Sequence, residues 1–199
     1  MTITSRTSTV LLAIAAALLL AACDSKVTFK GTDITGADYG RTLALTGHDG
    51  KPRTLEDFRG KAVVMFFGYT RCPDICPTTL ADMAQAMKAL GPDADRVQVL
   101  FVTVDPGRDT RDVLSKYVPA FDPRFLGLYG DEEATRRTAK EFKVFFEKRE
   151  GAAPGAYTVD HSAQSYVLDP KGRLRLFVRH DRLAEDLPGD IRQLLKENG

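Results

Sequence analysis

The sequence predicts an α/β domain with a mixed central sheet flanked by helices, and three stretches carry that expectation. Residues 62–67 are a short β-branched and aromatic run bounded by Gly60 and Gly68, the pattern of a buried strand. Residues 96–104 form a second run, nearly all apolar at its end, as in a parallel strand covered on both faces. Each is followed by residues at helical spacing, and the chain closes with a hairpin pattern and a last helix.

In chain order, Arg6 precedes the apolar segment 10–22, which ends in small residues and Cys23. This is the layout of a secretory signal and is short of the roughly 20 residues a membrane span needs. The ending Leu20-Ala21-Ala22-Cys23 resembles the bacterial lipobox, whose cysteine is lipidated and becomes the first residue of the mature protein. Asp24 resembles the signal that holds enterobacterial lipoproteins in the inner membrane. The expected organisation is a signal peptide over 1–22, a lipid anchor and tether over 23–40 with an edge segment, and one domain over 41–199 at the periplasmic face of a bacterial inner membrane.

A strand is expected over 41–46, turning at His48-Asp49-Gly50-Lys51, with His48 a solvated turn residue. Residues 54–60 read as a capped helical turn. Leu80, Met83, Ala84, Met87 and Leu90 recur at helical spacing before Gly91-Pro92, so a helix is expected from about Pro77 to Leu90, with Pro77 in its first position. Asp105 to Asp112 form a turn and a helix start capped by Asp109 or Thr110, with Val113, Leu114 and Tyr117 on one face. A short strand over 125–129 and a helix over 131–142 follow. Residues 143–148 and 156–159 flank a Gly/Pro-rich tip as a long exposed hairpin, and 165–168 and 174–178 a tighter one around Asp169-Pro170-Lys171-Gly172. The terminal helix, carrying Leu183, Leu187, Ile191, Leu194 and Leu195, is expected to break near Pro188-Gly189. This is the layout of a thioredoxin-like fold with an N-terminal extension and an inserted β-hairpin.

The stretch most informative about chemistry is Gly68-Tyr69-Thr70-Arg71-Cys72-Pro73-Asp74-Ile75-Cys76-Pro77. Cys76 falls at or beside a helix N-terminus, where unpaired N–H groups and the dipole favour a thiolate, and Cys72, preceding a proline, belongs to the loop. With Cys23 lipidated, Cys72 and Cys76 are the remaining cysteine pair, and in an oxidising compartment they form a disulfide unless something keeps them reduced. Two cysteines four apart accommodate a disulfide or clamp one metal ion. His161, in Asp160-His161-Ser162, lies on the segment that this fold packs against the cysteine loop, where thioredoxins carry a proline. It is the candidate third ligand, with Asp160 either a hydrogen-bonding partner behind it or a solvated residue.

The chain resembles the Sco/SenC family of copper chaperones for cytochrome c oxidase. The resemblance rests on Gly68-Tyr69-Thr70, Cys72-Pro73-Asp74-Ile75-Cys76-Pro77-Thr78-Thr79-Leu80, Val104-Asp105-Pro106 with Arg108-Asp109-Thr110, and Asp160-His161-Ser162 followed by Tyr166 and Asp169-Pro170. It implies a membrane-anchored protein that binds copper through Cys72, Cys76 and His161 and takes part in building the binuclear copper centre of oxidase subunit II, served by a periplasmic copper donor and a thiol reductant. Two thiolates and an imidazole suit Cu(I), and Cu(II) with an added ligand; zinc accepts the same set. Asp105, Arg108 and Asp109 match the signature too, and read as turn and cap residues rather than ligands.

The alternative function is a thiol-disulfide oxidoreductase acting on the oxidase's copper-site cysteines, with Cys72 and Cys76 as its redox pair. Three residues between the cysteines and the absent proline count against it. A peroxidase of the peroxiredoxin kind is disfavoured by the two-cysteine, proline-closed loop. Net charge is +1 with 28% charged residues, so there is no basic field for nucleic acid. Arg173, Arg175, Arg179 and Arg182 form an expected solvated face, or a docking patch for an acidic oxidase subunit. Nothing in the sequence implies an oligomer, and a monomer is expected.

Overall fold

The computed structural model describes residues 28–198, which place an eight-stranded mixed sheet at the centre of the molecule. Its strands are β1 (Thr32–Asp33), β2 (Leu45–Gly47), β3 (Pro52–Arg53), β4 (Ala62–Gly68), β5 (Val97–Thr103), β6 (Leu126–Tyr129), β9 (Ser165–Leu168) and β10 (Leu174–Val178), in the order β1-β10-β9-β4-β5-β6-β2-β3. A separate two-stranded sheet pairs β7 (Phe146–Glu150) with β8 (Tyr157–His161). The helices among the described residues are α1 (Ile75–Leu90), α2 (Arg111–Tyr117), α3 (Glu132–Glu141) and α4 (Leu183–Glu197).

β4 and β5 run parallel in register from Ala62 opposite Val97 to Gly68 opposite Thr103, and every β4 residue is buried. That explains an apolar run without alternation: both faces are covered. β9 pairs antiparallel with β4 and β10 with β9, so the tight hairpin completes one side of the sheet. α1 and α4 pack on each other, and rings from successive β4 positions diverge, Phe66 toward Phe101 and Phe67 toward Phe142 and Tyr166.

Several boundaries differ from the sequence expectation. The first strand of the 41–50 hairpin shrinks to Leu45–Gly47. His48 is not a solvated turn residue: it is half-buried and its Nδ1 accepts the Gly127 N–H at 3.0 Å, pinning the hairpin to β6, while burial lowers its pKa. α1 begins at Ile75 behind Asp74, so Pro77 is the third helical residue, still among the four positions whose N–H has no helical acceptor. Thr110, not Asp109, caps α2, and Val113 faces solvent. α4 runs unbroken through Pro188. The fold also starts before residue 41: Thr32 and Asp33 pair with β10, and the Lys30 and Gly31 N–H groups donate to the Asp190 carboxylate at 2.8 Å. Among the described residues no helix is long and apolar enough to cross a membrane. The expected signal segment 1–22 and Cys23 lie outside the described residues.

Candidate metal centre

Where β4 ends, the chain turns through Tyr69 to Asp74 and enters α1, leaving Cys72 half-buried in the loop and Cys76 wholly buried as the second helical residue. Both cysteines are free thiols. The Cys76 backbone N–H, one of the helix's unpaired donors, points at Cys72 Sγ at 3.3 Å. His161, the last residue of β8 rather than part of the following loop, reaches back across the sheet end so that its Nε2 lies 3.2 Å from Cys76 Sγ. The two sulfurs and an imidazole nitrogen lie within 4.8 Å of one another. Ligands bound at about 2.0–2.3 Å to one ion stand about 3.5–4 Å apart, so this constellation fits a single metal with little movement.

The local field sorts the two thiols. A hydrogen bond from the Cys76 thiol is the main influence lowering Cys72; burial opposes it and the backbone N–H groups of Asp74 and Cys76 assist, leaving Cys72 at about 4. Cys76 is pushed upward by that same hydrogen bond and by its burial. The first proton therefore leaves the more accessible sulfur, and the apo pair carries one thiolate and one thiol at neutral pH.

His161 is wedged edge-on between the rings of Phe66, centroids 5.9 Å apart, and Tyr69, 5.8 Å apart, and its Nδ1 lies 3.0 Å from the Ser162 carbonyl. A donor at Nδ1 facing that carbonyl leaves Nε2 with a lone pair toward the sulfurs. Asp160 does not take this role, because alternation along β8 points it outward, where it meets Arg149 Nε at 2.8 Å. Gly68 is required by close approach: a Cβ there would stand 2.9 Å from Cys76 Sγ and 2.8 Å from the Phe66 ring.

Two buried carboxylates behind the loop exceed the turn role the sequence suggested. Asp109 accepts from the Thr70 N–H at 3.0 Å and from the hydroxyls of Thr70 and Thr103 at 2.6 Å each, tying the cysteine loop to the end of β5. Asp105 accepts from Arg108 and, at 2.7 Å, from the Tyr157 hydroxyl, while Arg108 donates to the Tyr157 carbonyl at 2.9 Å and stacks on its ring. This latch secures the hairpin that carries His161. The sequence signal for both was an acidic residue just past an apolar strand, a position shared by ordinary turns.

The four arginines do not form one open face. Arg175 is buried with Asp169 and Glu197, Arg173 pairs with Asp169, Arg179 with Asp181, and Arg182 with Asp186 and Glu185.

Comparison with known proteins places this geometry. The SCO1/SenC family model matches residues 31–196. The chain belongs to the SCO1/SenC family. Among curated family proteins, the mitochondrial SCO2 homolog of Mus musculus is 39% identical over 153 residues, covering 76% of this chain and 60% of that protein. The chain thus spans about 60% of the length of such relatives. Among solved SCO1/SenC structures, apo Sco1 of Thermus thermophilus is 41% identical with a TM-score of 0.74, covering 88% of this chain and 99% of that one. ScoI of Bradyrhizobium japonicum, solved with copper bound, is 36% identical with a TM-score of 0.73, covering 78% and 99%. The expected thioredoxin-like α/β architecture stands.

Proposed function

We propose that this protein is a copper-binding assembly factor for cytochrome c oxidase, with Cys72, Cys76 and His161 as the ligands. The observation that carries the reading is the convergence of two unbonded sulfurs and one imidazole, from segments 85 residues apart, within single-ion range in a SCO1/SenC chain. Two thiolates select a soft ion, and the imidazole adds a borderline donor acceptable to both copper valences. The copper-bound relative supports copper over zinc as the cargo.

What the chain's own residues contribute is order. Cys72, already deprotonated, is the first donor an incoming ion meets; Cys76 gives up its proton only on ligation, when the metal's charge replaces it. His161, held on the latched hairpin, closes the set. In the fuller reading, Cys23 is lipidated after removal of 1–22, and the domain works at the periplasmic face of the inner membrane. It takes copper from a periplasmic donor, is kept reduced by a thiol reductant, and delivers to, or matures, the binuclear centre of subunit II.

The low Cys72 thiol also suits attack on a disulfide, which keeps the oxidoreductase reading in play. Copper titration of the reduced protein separates the two. Stoichiometric tight copper that disappears in His161→Ala supports the carrier, whereas turnover of a disulfide substrate that survives His161→Ala supports the reductase.

A further inference from the structure

About 20 Å from the sulfurs, at the opposite end of β4, a groove of about 560 Å³ lies between the segment following β1 and the turn joining β9 to β10. Its volume is in the range of small-ligand sites. Five of its twelve lining residues are cationic, Arg41, Arg59, Lys171, Arg173 and Arg175, and none is acidic. Arg173 and Arg175 are taken up by Asp169 and Glu197, and Arg59 donates to the Lys171 carbonyl with Glu56 at 3.9 Å. Glu141 stands at the rim, accepting the Arg41 backbone N–H. Among the described residues the exposed side chains of Arg41 and Lys171 have no carboxylate within ion-pair distance, so the groove carries net positive charge over an apolar floor of Tyr39 and Leu174.

We propose that this groove docks the phosphodiester headgroups of an anionic membrane, turning the metal end of β4 away from the bilayer. The inference rests on the anchoring reading of Cys23. Charge complementarity argues for it, and so does chain length. Four residues lie between Cys23 and Thr28, so five Cα-to-Cα steps give a reach of at most about 18 Å. The chain then runs along β1 directly into the groove wall at Thr35. A face this close to a lipid anchor meets headgroups at high effective concentration.

The test uses the full-length protein in vesicles, read by hydrogen exchange over residues 35–41 and 170–174. In phosphatidylglycerol vesicles these segments exchange more slowly than in phosphatidylcholine. At about fivefold per basic side chain near an anionic surface, Arg41 and Lys171 together account for about 25-fold in docking. The double variant Arg41→Gln/Lys171→Gln removes the difference with copper stoichiometry unchanged. Equal exchange in both lipids, a difference that survives the double variant, or equal protection by inorganic phosphate at matched ionic strength without vesicles overturns the proposal. If the protein is not retained on phosphatidylcholine vesicles at all, the anchoring reading fails separately. The groove is then judged by partitioning onto phosphatidylglycerol: retention lost in the double variant supports it, and no retention overturns it.

Discussion

Replacing Asp109 with alanine tests whether the cysteine loop is held by a buried carboxylate or merely sits beside one. The substitution removes the acceptor for three donors: the Thr70 N–H at 3.0 Å and the Thr70 and Thr103 hydroxyls at 2.6 Å. Hydrogen bonds to a charged group contribute about 1.5–3 kcal/mol each, but they do not sum here. Burial pushes the Asp109 carboxyl above its usual range, so part of their strength offsets the cost of keeping that group dry. Thr70 is half-buried and recovers water, while Thr103, 1% exposed, keeps the Asp105 N–H as a donor to its oxygen at 3.0 Å but is left with a dry hydroxyl proton that has no acceptor. About one and a half bonds plus a small cavity give about 3–4 kcal/mol for Asp109→Ala, and about 1 kcal/mol for Asp109→Asn, which keeps the shape and one acceptor. Urea unfolding reads both, as midpoint shifts at constant slope. A loss under about 1 kcal/mol for the alanine variant, or equal losses for both, refutes the clamp.

Four further outcomes follow from the geometry. Cys72 alkylates with iodoacetamide in the folded, metal-free protein at a rate that is flat between pH 6 and 8 and falls toward its pKa of about 4, while Cys76 stays protected until unfolding; mass mapping checks both. Gly68→Ala forces a methyl group against Cys76 Sγ and Phe66, with an expected loss of about 1–3 kcal/mol in thermal or urea unfolding and weakened metal uptake. Tyr157→Phe unlatches the His161 hairpin by deleting one hydrogen bond to a buried carboxylate. It is expected to weaken copper about 10–100-fold, as loss of a positioning contact does, in a competition assay, with a loss of about 1–2 kcal/mol in global unfolding. Burial works to raise the Asp169 carboxyl, but hydrogen bonds from the Arg173 side chain and from the Arg173 and Lys171 N–H groups outweigh it and hold the group below the usual range. Its stabilisation is therefore present above the unfolded carboxyl pKa and lost as pH falls through the folded one, so the stability gap between wild type and Asp169→Asn narrows on acidification.

The parts of the fold that sequence discloses are those governed by local pattern. The unalternating run of β4 and the 3.6-residue spacing of Leu80, Met83, Met87 and Leu90 are written along the chain, because burial on both faces of a strand or one face of a helix selects side chains directly. Cys72, Cys76 and His161 were legible as a set because the helix start and the resemblance both pointed to them. Asp109, Asp105 and Tyr157 were not, since a buried carboxylate and a turn carboxylate have the same sequence neighbourhood, and only the end of β5 meeting the hairpin distinguishes them. Asp160 misled for the converse reason: adjacency to a histidine is not proximity in a strand, where neighbours point to opposite faces. Pro188 misled because tertiary packing of α4 on α1 outweighs one missing helical hydrogen bond.

The most direct measurement is X-ray absorption at the copper edge of reduced protein loaded with one equivalent of copper, beside the His161→Ala variant. Two sulfur donors at about 2.2–2.3 Å and one nitrogen donor are expected in the native protein, with the nitrogen and the tight binding gone in the variant. A sulfur-only site, or a spectrum and affinity unchanged by His161→Ala, contradicts this expectation.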